Sequence, residues 1–262
     1  MYDFHQDKKR YFTIQKEVTE QYIIPFIGEH FDIAKKQNVL EIGSAEAGVL
    51  KAFTSLGHKC LGIELAENRV KLAKQFMAED MEKGLVSFLS EDIYKINPDT
   101  DLENKFDLII LKDVIEHIHN QEKFIPLLKK FLTKNGKVFF AFPPWYMPFG
   151  GHQQVAKNKF LSKLPYFHLL PMFMYKAILK MFGIAPQQVE GLAEVKETGI
   201  TIERFERIVK QSGFKITKKK FYLFNPIYKW KFGIKPKKQF AFIAAIPYLR
   251  NFFTFGTYYL VE

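Results

Sequence analysis

The sequence predicts an α/β fold: a doubly wound, mostly parallel sheet with helices on both faces. Three observations carry this. Short apolar runs alternate with segments of helical period from residue 38 to 142, and again from 201, which is the rhythm of βαβ units. The runs are continuous rather than alternating, as in Leu108-Ile109-Ile110-Leu111 and Val138-Phe139-Phe140-Ala141-Phe142. Strands covered on both faces read this way. The length of 262 residues suits one large domain. The single cysteine, Cys60, excludes a disulfide framework and cysteine-built zinc sites.

The elements follow in order. Residues 1–34 hold a cap helix over 11–30, with Tyr11, Ile14, Val18, Tyr22 and Phe26 on one face. Residues 35–142 form the core. Strands are expected at 38–43, 58–65, 84–92, 106–114 and 137–142, and helices at 45–57, 66–82 and 124–132. Glycines at 57 and 136 stop the first and last of these helices. Residues 143–200 form an insertion after the fifth strand, with 6 of the 12 prolines within 143–186 and a helix around 166–182. The rhythm resumes with a helix at 201–214 and a strand at 216–224. An irregular basic and aromatic insertion at 225–252 precedes a last strand at 252–261.

Charge divides the chain. Residues 1–150 carry 20 Lys+Arg against 22 Asp+Glu, whereas 151–262 carry 19 against 6, so the whole excess of the formal +11 lies in the second part. Such asymmetry suggests an anionic neighbour: nucleic acid, a membrane surface or an acidic substrate. No stretch reaches the roughly 18 apolar residues of a spanning helix. The charged N-terminus lacks the apolar core of a secretory signal. A cytoplasmic protein is expected.

The chemistry concentrates at strand ends. Val39-Leu40-Glu41-Ile42-Gly43-Ser44-Ala45-Glu46-Ala47-Gly48 places an acid at the end of the first strand, before a small-residue turn into a helix. Backbone N–H groups at such a turn can hold a polar or anionic group, and open sheets bind ligands at the carboxyl ends of their strands. The second strand ends in Glu64-Leu65, where a carboxylate can accept both hydroxyls of a ribose. The third ends in Glu91-Asp92-Ile93, where a carboxylate can accept from an adenine amino group. Three acids at successive strand ends outline a nucleoside pocket.

This set resembles the class I S-adenosylmethionine-dependent methyltransferases. The first turn is similar to that family's E/D-x-G-x-G-x-G, with Ala45 and Ala47 in place of the second and third glycines. Leu111-Lys112-Asp113-Val114-Ile115-Glu116-His117-Ile118 resembles the D-V-L-E-H stretch of the small-molecule branch. The likeness covers roughly 35–145 well and 200–224 plausibly, and not the insertions. It implies a seven-stranded Rossmann-like sheet and S-adenosylmethionine as cofactor, with S-adenosylhomocysteine as product. It also implies cofactor contacts from Glu41, Gly43, Ser44, Ala45, Gly48, Glu64, Leu65, Asp92, Ile93, Lys112 and Asp113. The turn fits the dinucleotide fingerprint Gly-x-Gly-x-x-Gly poorly, which argues against a nicotinamide cofactor. Pro143-Pro144-Trp145 looks like the tail of the Asp/Asn-Pro-Pro-Tyr/Trp motif of amino-methylating nucleic-acid enzymes. It follows the fifth strand rather than the fourth, and Phe142 stands where that motif has Asp or Asn, so the match is rejected.

An alcohol or phenol acceptor wants a base, and His117 and His152 are the candidates. His152 lies in Gly150-Gly151-His152-Gln153-Gln154. His117 can equally pack beneath the cofactor. His119 would not share a helix face with His117, so no metal site is expected. Tyr11 and Gln15, one turn apart, could face the substrate, as could Gln153. The double proline either aims Trp145 and Tyr146 over the pocket mouth or is a plain turn. The acceptor is expected to be small or lipid-like, methylated at oxygen or nitrogen. Peripheral contact with an anionic membrane is a second expectation, and nucleic acid ranks below it. The alternatives are an RNA methyltransferase using the basic part, or a membrane-peripheral binding protein that keeps the fold without turnover.

Overall fold

The computed structural model describes residues 7–152, 158 and 160–262. Eight strands form one sheet: β1 (Asn38–Ile42), β2 (Lys59–Ile63), β3 (Val86–Leu89), β4 (Phe106–Lys112), β5 (Leu132–Phe142), β6 (Ile216–Phe224), β7 (Lys237–Lys238) and β8 (Gly256–Val261). Their order is β3-β2-β1-β4-β5-β8-β6-β7. β1 to β5 pair in parallel, and β8 runs antiparallel between β5 and β6. The expected seven strands are present. The eighth, β7, is a two-residue ladder that the basic insertion adds to β6.

The continuous apolar runs are explained by two cores. Val138, Phe140 and Phe142 of β5 pack on one face of the sheet, and Phe139 and Ala141 on the other. Successive side chains of a strand point to opposite faces, so a sheet buried on both sides needs both sets apolar.

The helices on the face that carries Phe139 and Ala141 are α1 (Lys8–Val18), which passes through a π turn at Thr19–Ile23 into α2 (Ile24–Gly28), and α3 (Gly48–Thr54). Asp7 caps α1 by accepting the Arg10 N–H. The helix expected from residue 45 starts only at 48, because Ala45 and Ala47 hold positive φ angles of 45° and 66°. The long helix expected over 66–82 is two, α4 (Glu67–Phe76) and α5 (Ala78–Glu82), broken at Met77. The helix expected at 124–132 is α6 (Gln121–Leu127), continued by a 3₁₀ turn at Leu128–Phe131. The insertion carries α7 (Met172–Met181), as expected, and a further α8 (Pro186–Thr198). α9 (Ile202–Gln211) is capped by Thr201, and α10 (Tyr228–Phe232), α11 (Ala241–Ala244) and α12 (Leu249–Phe252) follow in the basic insertion. Among the described residues, no helix is long and apolar enough to cross a membrane.

Candidate active site

β1 and β4 lie side by side at the centre of the sheet, where the strand order reverses. In open sheets this is the point where a ligand crevice forms. Here it is a cavity of about 730 Å³, within the range of small-molecule sites. The turn after β1, the α1 helix, the end of β4, the first part of the insertion and the segment 224–234 all line it.

The turn is held from below by Glu64. One carboxylate oxygen accepts the Ala45 N–H and the other the Ala66 N–H, both at 3.0 Å. Glycine normally takes positive φ without cost, whereas alanine there is strained by roughly 1–2 kcal/mol. That the chain keeps Ala45 and Ala47 in this geometry shows how firmly the turn is fixed. Asp113 (φ 56°) and His152 (φ 55°) are also in the left-handed region and line the same cavity. Strain of this kind gathers at functional sites.

Roofing comes from α1. Tyr11 and Gln15 both line the cavity. The helix reaches that position because Gly48 offers no side chain: a Cβ there would lie 2.4 Å from the Phe12 carbonyl oxygen.

Four cavity-lining residues, Gln15, Glu41, Ser44 and Glu116, carry buried side-chain oxygens without a hydrogen-bond partner. Buried polar atoms are nearly always satisfied, so this set marks where a polar ligand belongs. Glu41, on β1, is fully enclosed, and burial drives its carboxyl well above the usual range against the pull of Lys112. Lys112 ends β4. Burial alone would lower its ammonium, but Asp113, 2.5 Å away, together with Tyr11 and Glu41 raises it instead. Burial opposes ionisation of Asp113, and Lys112 more than reverses this to hold it low. A stable ion pair thus closes the end of β4 beside the cavity.

Beyond Asp113 stand three further groups. The rings of His117 and His152 are 5.0 Å apart, and His152 Nε2 lies 3.9 Å from Glu116 Oε1. Burial, with His117 adding to it, depresses His152 to about 4. Burial also lowers His117, and burial followed by Asp113 pushes Glu116 well up. The His152 imidazole is therefore neutral near pH 7 and able to accept a proton. The ligand atoms of Glu116, His117 and His152 lie within 4.8 Å of one another, close enough to share a divalent ion. The sequence argument against a two-histidine site considered His119. The partner the structure supplies is His152, 35 residues further on.

Not every expected residue reaches the cavity wall. Glu64 sits beneath the turn and His117 stands exposed outside the wall. Asp92 lies past β3, where it caps a 3₁₀ turn by accepting the Tyr94 N–H, while Ile93 packs into the core and Leu65 is exposed. Trp145 turns into the insertion: its indole stands edge-on to His168 at 4.6 Å and beneath the Lys196 ammonium. Tyr146 stacks on Phe252. The double proline is thus a turn that seats the insertion, because Trp145 is taken up by packing against Gly199 and His168. Gln153 lies outside the described residues.

The sequence reading misses the far wall. Met147, Phe149, Tyr228, Lys231, Phe232 and Ile234 all line the cavity. Lys231 belongs to the Lys229-Trp230-Lys231-Phe232 run of the basic and aromatic insertion. Inside the cavity, burial lowers its ammonium to about 8, with Asp113 acting against this and Lys112 with it. The run Lys218-Lys219-Lys220 is also engaged within the fold. It lies on β6, where Lys218 bonds Glu29 and Lys219 bonds Glu206.

The fold and this cavity define a methyltransferase. The profile of a methyltransferase-domain family matches residues 15–219, well over half of the chain, and the chain belongs to that family of S-adenosylmethionine-dependent enzymes. Relatives include the ubiquinone biosynthesis O-methyltransferase of Rickettsia felis, 25% identical over 121 residues, covering 46% of this chain and 47% of the relative. That of Glaesserella parasuis is 30% identical over 107 residues, covering 40% and 44%. The matches thus span less than half the length of each. Among solved structures, an S-adenosylmethionine-dependent methyltransferase from Clostridium acetobutylicum superposes with a TM-score of 0.57 at 13% identity, covering 94% of this chain and 91% of its own. Magnesium protoporphyrin IX methyltransferase from Synechocystis, with bound S-adenosylhomocysteine, gives 0.53 at 12%, covering 97% and 87%. These likenesses show the fold.

Proposed function

We propose that this protein transfers a methyl group from S-adenosylmethionine to an oxygen of a small, largely apolar acceptor, with a phenol as the favoured class. The observation that carries this is the placing of a neutral, half-buried imidazole, His152, in the same cavity as the strained turn and the unpartnered oxygens of Glu41 and Ser44. When bound, the cofactor supplies an activated methyl group. The protein supplies the rest. Ser44 and Glu41 hold the polar end of the cofactor, on the turn that Glu64 fixes from below. Tyr11, Gln15 and the segment 227–234 close over the acceptor and exclude water. His152 accepts the acceptor hydroxyl proton at a ring nitrogen, and Glu116 and Asp113 set its surroundings.

The acceptor class rests on the walls. Met147, Phe149, Ile227, Phe232 and Ile234 are apolar, and Lys231 is the group that can face a developing phenolate. The ubiquinone-biosynthesis relatives, named as O-methyltransferases, support an oxygen acceptor. The test is transfer of labelled methyl from S-adenosylmethionine to a panel of alkyl-substituted catechols, with aliphatic amines and RNA as comparison acceptors. Phenols should be methylated first. Transfer to RNA or amines alone would overturn the reading.

A further inference from the structure

Beyond the cavity wall the chain enters a segment that is built inside out. Between residues 239 and 254 the polar side chains are the buried ones: Gln239, Arg250, Asn251 and Thr254 are at most 8% exposed. The apolar side chains face outward, with Phe242 68%, Tyr248 66%, Ile246 45%, Leu249 43%, and Phe240 and Phe253 42% exposed. Soluble chains sort the other way.

The inversion is held in place. Asn251 accepts the Ile202 N–H at 2.9 Å and donates to Glu203 at 2.6 Å. Arg250 pairs with Glu203 at 2.9 Å and with Glu206 at 3.1 Å. Glu203 also accepts the Tyr248 N–H at 2.8 Å, and Tyr248 stands at φ 62°. The first turns of α9 thus grip the polar residues from within, so Phe242 of α11, Leu249 of α12 and Ile246 and Tyr248 between them are presented to the outside.

Charge says what the outside is. From Arg207 to Val261 there are 12 Lys+Arg and no Asp or Glu. Residues 239–249 carry no charge at all, and Lys235, Lys237 and Lys238 stand exposed immediately before them. An apolar tip behind a collar of lysines suits a membrane interface with anionic headgroups. A nucleic-acid groove would interleave its lysines with stacking rings, whereas Ile246 and Leu249 have no π face.

We propose that residues 235–253 are a peripheral docking surface for an anionic phospholipid bilayer. Phe242, Ile246, Tyr248 and Leu249 enter the interface, and the three lysines rest on the headgroups. This goes beyond methyl transfer and does not depend on it, although Phe232 and Ile234, in the cavity wall, lead directly into the surface.

The experiment is sedimentation of the full chain with vesicles of three parts phosphatidylcholine to one part phosphatidylglycerol, and with phosphatidylcholine alone. The protein should pellet with the first and only weakly with the second. Phe242→Ser with Leu249→Ser should weaken binding about tenfold or more, as expected for withdrawing two large apolar side chains from the interface. Lys235→Glu, Lys237→Glu and Lys238→Glu together should weaken it on the order of a hundredfold. Calorimetric binding of S-adenosylhomocysteine should be the same in all three proteins, which separates this surface from the active site and confirms folding. The proposal is overturned if the intact protein ignores anionic vesicles or if the variants pellet equally well. It is equally overturned if the serine variant converts a dimer to a monomer, or if it abolishes binding to single-stranded RNA tighter than that to vesicles.

Discussion

Replacing Gly48 by alanine should loosen the roof of the active site. The new Cβ would lie 2.4 Å from the Phe12 carbonyl oxygen and 2.7 Å from Gln15 Cβ. A main-chain oxygen cannot step aside as a flexible side-chain end does, so α1 must lift by about 1 Å to restore ordinary contact. Overpacking of this kind costs about 1–3 kcal/mol, which lowers Tm by roughly 3–10 °C for a chain of this size. The same movement carries Tyr11 and Gln15 away from the cavity they line. Affinity for S-adenosylhomocysteine should fall about tenfold, equivalent to 1.4 kcal/mol. Gly191→Ala is the control. It lies within α8 with nothing inside 4 Å of a Cβ, so alanine there should be neutral or stabilising by up to about 1 kcal/mol. Scanning fluorimetry and calorimetry read both quantities. If Gly48→Ala melts with the parent and binds with unchanged affinity, α1 is not seated on this turn and the account of the roof fails.

Glu64→Ala removes the acceptor of the Ala45 and Ala66 N–H groups, and should weaken S-adenosylhomocysteine binding by roughly tenfold to a hundredfold, the range for a charged hydrogen-bond partner; unchanged affinity would refute its role in fixing the turn. His152→Gln should slow methyl transfer by about 10²–10⁴-fold with cofactor affinity unchanged, and equal loss of both would mean a packing role instead. Because burial holds His152 near 4, the acid limb of transfer should fall well below the ordinary histidine range near 6.5; a limb at 6.5 would contradict its assignment as base. His168 is also held near 4, by burial. Groups depressed in the folded state contribute stability that is full above their unfolded value and lost as pH falls toward 4. Tm should therefore decline between about pH 6.5 and 4, more gently in His168→Gln, and an unchanged slope would exclude His168 as a source.

The sheet was readable because burial on both faces leaves a local mark. Every residue of Leu108-Ile109-Ile110-Leu111 must be apolar, and no distant information is needed to see it. α8 left a weaker one, since Val189, Leu192, Ala193 and Val195 are small inward residues around an interior Gly191. The break at Met77 likewise has no glycine or proline to announce it. In the site, Glu41 was legible from a strand end, and Lys112 and Asp113 only from the likeness of 111–118 to a family motif, while the spacing of Tyr11 and Gln15 on one helix suited plain packing as well as a site. Lys231, Phe232 and Ile234 were not, because nothing local says that a segment some 190 residues beyond the turn folds back over it. The same holds for His152 beside Glu116, and for Trp145, whose indole serves the insertion and not the cavity.

The most direct test of the central claim, that the turn at 43–48 and the cavity above it hold the cofactor, is a calorimetric titration of the purified protein with S-adenosylhomocysteine. One site per chain, weakened in Glu64→Ala, is the predicted result. A folded sample that gives no binding heat at any temperature tried, and no shift in Tm with the ligand present, would contradict it.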